Sequence, residues 1–410
     1  MDKQQLKERA CAAIDKHRAE IIQFGKDRAN CPELGFNEFK TAAAVREKLS
    51  AIGVTDIQPV AFTGVKGWLR GRAQKATVML MGELDAVLAD GKPTHACGHA
   101  AQLAVLVGCA AGLKTVMPFL DGAVCFAATP AEEFIQIEER LALCREGKIT
   151  RISGKQQMHH EKAFDDIDLA MMVHAETNTP GTQVKIGGTS LGFIAKEIRF
   201  IGKEAHAALA PWQGINALNA ASLALQAIHA LRETFPDKDF IRVHPIITKG
   251  GDIVNTVPAD VRMSCFVRAL TPEAMEKTNA AVNRAITHCA KALGATAEIH
   301  DIPGYMPLKQ NHLMGRFFAE NAKNIAPDVI ITEGELFGGS TDMGDVSQII
   351  PSIHPTINGF SGALHSADFA VTDEELAYIL PAKLLTMTTI DLLADGAEGA
   401  LSIKNDSTQN

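Results

Sequence analysis

Three short apolar runs constrain this chain most, because of the residues on which each one stops. Ala76-Thr77-Val78-Met79-Leu80-Met81 runs into Gly82-Glu83-Leu84-Asp85, Gly122 to Ala128 into Thr129-Pro130-Ala131-Glu132-Glu133, and Asp168 to Val173 into His174-Ala175-Glu176. Runs this short, apolar and followed by turn-forming or polar residues, read as buried strands. Helical stretches separate them, above all Ala100 to Leu113, which is almost wholly Ala, Leu, Val and Gly; residues 3–25 and 38–52 read as further helices. Strands alternating with helices predict an α/β fold with a mainly parallel sheet covered on both faces. Ligands in such sheets sit beyond the carboxyl ends of the strands. The acids and the histidine that close these runs therefore belong at one end of one sheet.

A second feature stands just ahead of the long apolar helix, Thr94-His95-Ala96-Cys97-Gly98-His99-Ala100. In an extended segment positions i and i+2 project to the same side, so Cys97 and His99 address one point, and Gly98 relaxes the backbone between them. Adjacent Glu132 and Glu133 repel unless a cation neutralises them or they divide the labour. Far downstream, Ala363-Leu364-His365-Ser366 adds another imidazole. Thiolate, imidazole and carboxylate donors together suit zinc, or a neighbouring divalent ion such as manganese, nickel or cobalt. The bland alternatives stay open here: a free cysteine beside a core histidine, and paired acids on a solvated loop.

At 410 residues the chain exceeds the ~250–300 at which one core stops growing, so two domains are expected. The pattern changes near residue 190. Phe193 to Ile201 reads as a strand, Gly214 to Glu233 as a helix, and Ile241 to Thr248 and Val261 to Val267 as two more strands. A helix then begins at Thr271-Pro272, an N-cap with proline at the first helical position, and Thr296 to Ile302 closes as a strand. The order β-α-β-β-α-β is that of the ferredoxin-like split motif. Residues 190–302 are thus expected to form a unit of their own inside an α/β domain made of 1–189 and 303–410. The polar stretch Gly396 to Asn410 is expected to fray.

Net charge is −8 and no basic block is present, which argues against nucleic acid as the main partner. Eight cysteines lack framework spacing, the N-terminus opens a charged amphipathic helix, and no apolar run approaches the ~20 residues that cross a bilayer. A cytoplasmic protein without membrane contact is the expectation.

Taken in order, Pro32-Glu33-Leu34-Gly35-Phe36, His95-Ala96-Cys97-Gly98-His99, Pro130-Ala131-Glu132-Glu133, Met171-Met172-Val173-His174, Gly202 through Pro211, Asn255 through Arg268, Gly339-Ser340-Thr341-Asp342 and His365-Ser366 resemble the M20 family of metallopeptidases and amidohydrolases. The likeness is nearest to subfamily D, which includes N-acyl amino acid, indole-acetyl amino acid and aminobenzoyl-glutamate hydrolases. It spans nearly the whole chain, and the ordered set is specific where no single motif is.

The resemblance implies a catalytic domain with two divalent metal ions, zinc first, and a ferredoxin-like lid that also makes a homodimer or a larger assembly. It implies Cys97, His99, Glu133, His174 and His365 as metal ligands, with Cys97 between the two ions. Glu132 matches the general base and Asp85 an acid that orients the ligands. In the lid, His206 matches the histidine that reaches the substrate carbonyl in a closed dimer, and Asn255 and Arg268 match positions that engage the substrate carboxylate. The implied reaction is hydrolysis of the amide of an N-acyl or N-aroyl amino acid, with a dipeptidase or carboxypeptidase on the same scaffold as the alternative.

Two departures stand out: Ala100 where the family carries a polar residue, and a long polar segment, 134–162, in place of a short glycine-rich loop. That segment begins beside Glu132 and is expected to reshape the substrate pocket. A thiol hydrolase with Cys97 as nucleophile and His99 as base, and a binding module without catalysis, are the rival classes.

Overall fold

The computed structural model describes residues 1–407, which form two units: 1–189, 309–336 and 345–407 make one, 190–308 and 337–344 the other.

The first unit is organised by the strand Thr77–Glu83. It pairs in parallel with Ala123–Thr129 on one side and Leu169–Met171 on the other, and Ser352–Ile353 continues the parallel row beyond Leu169–Met171. The far edge is antiparallel, Gly64–Arg70 on Ala123–Thr129 and Thr55–Val60 on Gly64–Arg70, so the six-stranded sheet is mainly parallel. Glu83 lies opposite Thr129 in register. The acid-bearing segments after both strands therefore leave the sheet side by side.

The helix His99–Lys114 is buried from His99 to Leu113 and packs on Thr77–Glu83 and on the helices Lys3–Lys16, Arg18–Ala29 and Leu380–Leu393. A helix apolar all round belongs in such a place. A second sheet joins Ile330–Glu333, Gln183–Ile186, Thr356–Ser361 and Ala370–Val371, with His174–Thr177 parallel to Thr356–Ser361. The chain thus leaves one sheet at Met171 and enters the other at His174.

Three expectations change. The helix expected over 3–25 is two helices, interrupted at His17, whose φ of −98° and ψ of 10° fall outside the helical region. Residues Glu375–Leu393 form a 19-residue helix long and apolar enough to cross a membrane by length and composition, although no such run was expected. It is 89% buried, as befits a core helix. The C-terminal stretch expected to fray contains the helix Glu398–Ser407, because Ala400 and Ile403 share one face and bury fully in the core.

The second unit carries Gly192–Ile201, the helix Ala217–Leu231, Arg242–Lys249, Asp260–Ala269, the helix Pro272–Ala292 and Thr296–Pro303. Arg242–Lys249 pairs with Asp260–Ala269, that strand with Gly192–Ile201, and that in turn with Thr296–Pro303, every pairing antiparallel. This is the ferredoxin-like order. Val261, Met263, Cys265 and Val267 alternate into a core of their own with the two helices. Thr271 caps the second helix through its Oγ1, which accepts the Ala274 N–H at 3.2 Å. Residues 337–344, assigned by the sequence to the metal-bearing domain, join this unit: the Leu191 N–H donates to the Gly339 carbonyl at 3.0 Å, and the Ser340 hydroxyl donates to the Leu191 carbonyl at 2.5 Å.

Ile403→Ala is expected to lower unfolding stability by about 2–5 kcal/mol, as for other fully buried aliphatic truncations. Denaturant titration decides, since a frayed tail would leave stability within about 0.5 kcal/mol of wild type.

Candidate metal centre

Four loops bring the donors of the first unit together. Cys97 and His99 do not lie on extended backbone, contrary to the sequence expectation. Gly98 has φ +85°, and His99 is already the first residue of the helix that follows. Both side chains still converge, because the left-handed glycine turns the chain sharply between them. A Cβ at Gly98 would lie 2.7 Å from the Ala175 Cβ, so the same glycine lets the loop close against the residue after His174.

Three groups of donor atoms each lie within 4.8 Å of one another: Cys97, His99 and His174; Cys97, Glu133 and His365; and Glu83, His99 and Glu132. The Cys97 Sγ is 3.4 Å from the His174 Nε2 and 3.3 Å from the His365 Nε2. The His365 Nε2 is 3.2 Å from the Glu133 Oε1, and the His99 Nε2 is 3.8 Å from Glu133 Oε1 and 4.0 Å from Glu132 Oε2.

The remaining contacts aim these donors. The His99 Nδ1–H donates to the Asp85 carbonyl at 2.8 Å, which leaves its Nε2 facing the cluster. The His174 Nδ1 likewise lies 3.1 Å from the Ala175 carbonyl. The Asp85 carboxylate accepts the Glu133 N–H at 2.9 Å. The His365 N–H donates to the Ala96 carbonyl at 2.7 Å, with His365 held at φ +65°. Ala131, just before the two glutamates, sits at φ +49°. Non-glycine residues in this region store strain, and strain of this kind gathers at functional sites.

The donor set fits a divalent metal. Glu132 and Glu133 are 7% exposed, Cys97 7% and His99 1%. The His99 Nε2 and Glu133 Oε1 are buried without an aligned hydrogen bond. Lone pairs this close, and this dry, call for a cation between them. Burial, with Glu133 adding to it, pushes the Cys97 thiol well up, which weighs against the thiolate nucleophile of the rival reading. Burial also lowers His174, and the nearby Glu133 carboxylate raises His365.

Sequence reasoning missed three neighbours. Glu83, 0% exposed, lies 2.9 Å from the His99 Nε2 through its Oε2. Lys155, also 0% exposed, reaches Glu83 Oε1 at 2.7 Å from the helix Gly154–His160. Burial alone would raise Glu83, yet Lys155 and His99 hold it well below the usual carboxylate range. His354 is buried edge-on to His174, ring centroids 5.5 Å apart, and burial lowers it to about 3. The Glu83-Leu84-Asp85 spacing at a strand end was a signal for the first; nothing local marks the other two. The segment 134–162 is not an open loop, since it forms the helices Ile137–Arg145 and Gly154–His160.

The second unit holds the other expected site residues. The Asn255 Nδ2 is 3.3 Å from the His206 Nε2, so these two stand together. Arg268 is held elsewhere in that unit: its Nη1 donates to the Ser340 Oγ at 2.6 Å and its Nε to the His244 Nε2 at 3.3 Å. Its guanidinium lies 4.9 Å from the Phe193 ring centre and 5.4 Å from that of Phe266.

A family model described as the M20 peptidase dimerisation domain matches residues 189–293. An Xaa-Arg dipeptidase of Mus musculus is 29% identical over 331 residues, 77% of this chain and 70% of that protein. An IAA-amino acid hydrolase of Arabidopsis thaliana is 26% identical over 373 residues, 85% of this chain and 80% of that protein. A solved structure of a dinuclear metal-binding peptidase of the M20 family from Bacillus subtilis shares the fold, with a TM-score of 0.73 at 20% identity, covering 92% of this chain and 99% of that one.

Gly98→Ala is expected to destabilise the chain by more than the about 1–2 kcal/mol that a left-handed residue costs by itself, because its Cβ also meets Ala175. Gly147→Ala is the control, at φ +71° with nothing within 4 Å of the added Cβ. Equal losses in paired denaturant titrations would show that the approach to Ala175 is not close.

Proposed function

Because this chain belongs to the M20 family of metallopeptidases and amidohydrolases, hydrolases of amide and peptide bonds, we propose that it cleaves the amide of an N-acyl or N-aroyl amino acid with two divalent metal ions. The observation that carries this is the sharing of Cys97 between two donor groups, one with His99 and His174 and one with Glu133 and His365. Two overlapping donor sets are what a pair of adjacent ions requires. The dipeptidase likeness favours a dipeptide as the second substrate class.

Cys97, His99, Glu133, His174 and His365 would hold the ions. When bound, such ions lower the pKa of water and polarise the amide carbonyl. Glu132 takes the proton of the attacking water and hands it to the departing amine. Its place beside Glu133, on a backbone strained at Ala131, keeps its carboxylate at the rim of the donor cluster. Asp85 orients two of the groups, His99 through its carbonyl and Glu133 through its carboxylate. In the second unit, Arg268 binds the substrate carboxylate, with its guanidinium pre-set by Ser340 and two phenylalanine rings, and the His206–Asn255 pair donates to the substrate carbonyl and carboxylate. The active form is a cytoplasmic homodimer built through the second unit, with zinc or manganese as the working ions.

The test is a hydrolysis screen of N-acyl amino acids, N-aroyl amino acids and dipeptides with zinc or manganese supplied. Turnover that a chelator abolishes and metal restores is expected; turnover that survives the chelator would return the thiol mechanism. Glu132→Gln should keep metal uptake and lose about 10²–10⁴-fold in kcat, whereas Glu133→Gln should lose metal by elemental analysis. The opposite pattern would exchange their roles. Arg268→Ala should raise KM for substrates with a free carboxylate by about 10–100-fold, from the about 1.5–3 kcal/mol of a charge-assisted hydrogen bond, and spare their amides. Equal losses on both would leave Arg268 a structural residue.

A further inference from the structure

We infer that Glu83 is a further donor side chain of the metal centre and that Lys155 is the buried counter-cation that holds it there. The inference rests on the two-metal reading of the centre. Glu83 closes the strand Thr77–Glu83, and its side chain is 1% exposed. Its Oε2 lies 2.9 Å from the His99 Nε2, without the alignment of a hydrogen bond. The His99 Nδ1 is committed to the Asp85 carbonyl at 2.8 Å, and a carbonyl only accepts, so Nδ1 carries the hydrogen. Nε2 is then the ring atom that faces Glu83 Oε2 and the cluster.

Two donor atoms at that separation match the edge of a coordination sphere. Ligand atoms about 2.0–2.1 Å from one ion and at right angles to each other stand about 2.9 Å apart. The Glu132 carboxylate, proposed above as the base, lies beside the same two atoms, all within 4.8 Å of one another. His99 belongs to this group and to that of Cys97 and His174, so Glu83 extends the coordination sphere of the ion that His99 holds.

The rest of Glu83 is fixed to serve that role. Lys155 Nζ lies 2.7 Å from its Oε1, the oxygen turned away from His99. Gln102, one turn along the helix from His99, donates from Nε2 to Glu83 Oε2 at 2.9 Å and accepts the Glu83 N–H at 2.9 Å. Partners of this kind orient a ligand and typically tune metal affinity 10–100-fold. Lys155 comes from the segment 134–162, so that segment reaches the metal end of the sheet and contributes a charge there.

The experiment is manganese chloride titrated into the metal-stripped full-length protein, read by calorimetry and by elemental analysis, with the Tm of the stripped protein measured alongside. Glu83→Gln should weaken manganese binding tenfold or more, together with a lower stripped Tm because the buried Lys155 loses its counter-charge. Glu83→Asp serves where the glutamine variant does not fold: it keeps the charge facing Lys155 but withdraws the carboxylate by one methylene, and the same loss is expected. Lys155→Met should weaken manganese binding too, and adding it to Glu83→Gln should cost no more than Glu83→Gln alone. Unchanged affinity in the Glu83 variants, in an assay where Glu133→Gln loses metal, overturns the assignment and leaves the two-metal reading standing. A fall in the stripped Tm with manganese affinity intact also overturns it, making Glu83 and Lys155 a structural pair. No binding by the unsubstituted chain removes both readings.

Discussion

The crowding of lone pairs and negative charge in a dry place is the constraint on which the first unit depends. Glu83, Asp85, Glu132 and Glu133 are all less than a tenth exposed, and with them stand the thiol of Cys97 and the rings of His99 and His174. Desolvation penalises every charged form here, and carboxylates this close repel one another as well. A fold gains nothing in stability from such a cluster, since replacing buried charges by apolar side chains is often neutral or stabilising. The arrangement calls for something positive among the donors, and Lys155 supplies part of that charge.

The donors come from elements that are each rigid for a different reason, and their loops lean on one another. The parallel pairing of Thr77–Glu83 with Ala123–Thr129 places the acid-bearing turns side by side. The buried helix behind them fixes His99. The Glu133 N–H is tied to Asp85, the Ala131 N–H to Glu38 at 2.8 Å, and the His365 N–H to the Ala96 carbonyl. The positive φ values at Ala131 and His365 are tolerable only because these bonds over-determine the backbone around them. The same ties set the donor separations that a metal ion needs before one arrives.

Most of this was legible in the sequence, and where it was not the reason is physical. The strands announce themselves because a parallel sheet buried on both faces needs unbroken apolar runs, and the ferredoxin-like unit because Val261 to Val267 alternate and Thr271-Pro272 starts a helix. Cys97 and His99 converge as their spacing suggested, but through a left-handed glycine and not an extended strand, since i,i+2 spacing does not report backbone conformation. Lys155 was hidden because a lysine normally signals surface, and its pairing with Glu83 is set by tertiary structure. Glu83 was in plain view at a strand end, but Asp85 two residues on competed for the same role. The helix at Glu398 was hidden by its polar composition, two small apolar contacts being enough to fix it.

The anchoring of 134–162 also limits what that segment can do. Lys155 pairs with Glu83, and the buried Arg140 donates to the Ile152 carbonyl at 2.8 Å with its guanidinium 5.6 Å from the Phe36 ring centre. For this segment to swing away, Glu83 would have to lose its cation while still buried, and breaking one partner from a buried pair costs about 3–5 kcal/mol. A flap that opened in every turnover would meet that cost each time. The segment is therefore anchored beside the metal donors by a buried charge and a buried guanidinium, and is not a loop free to swing.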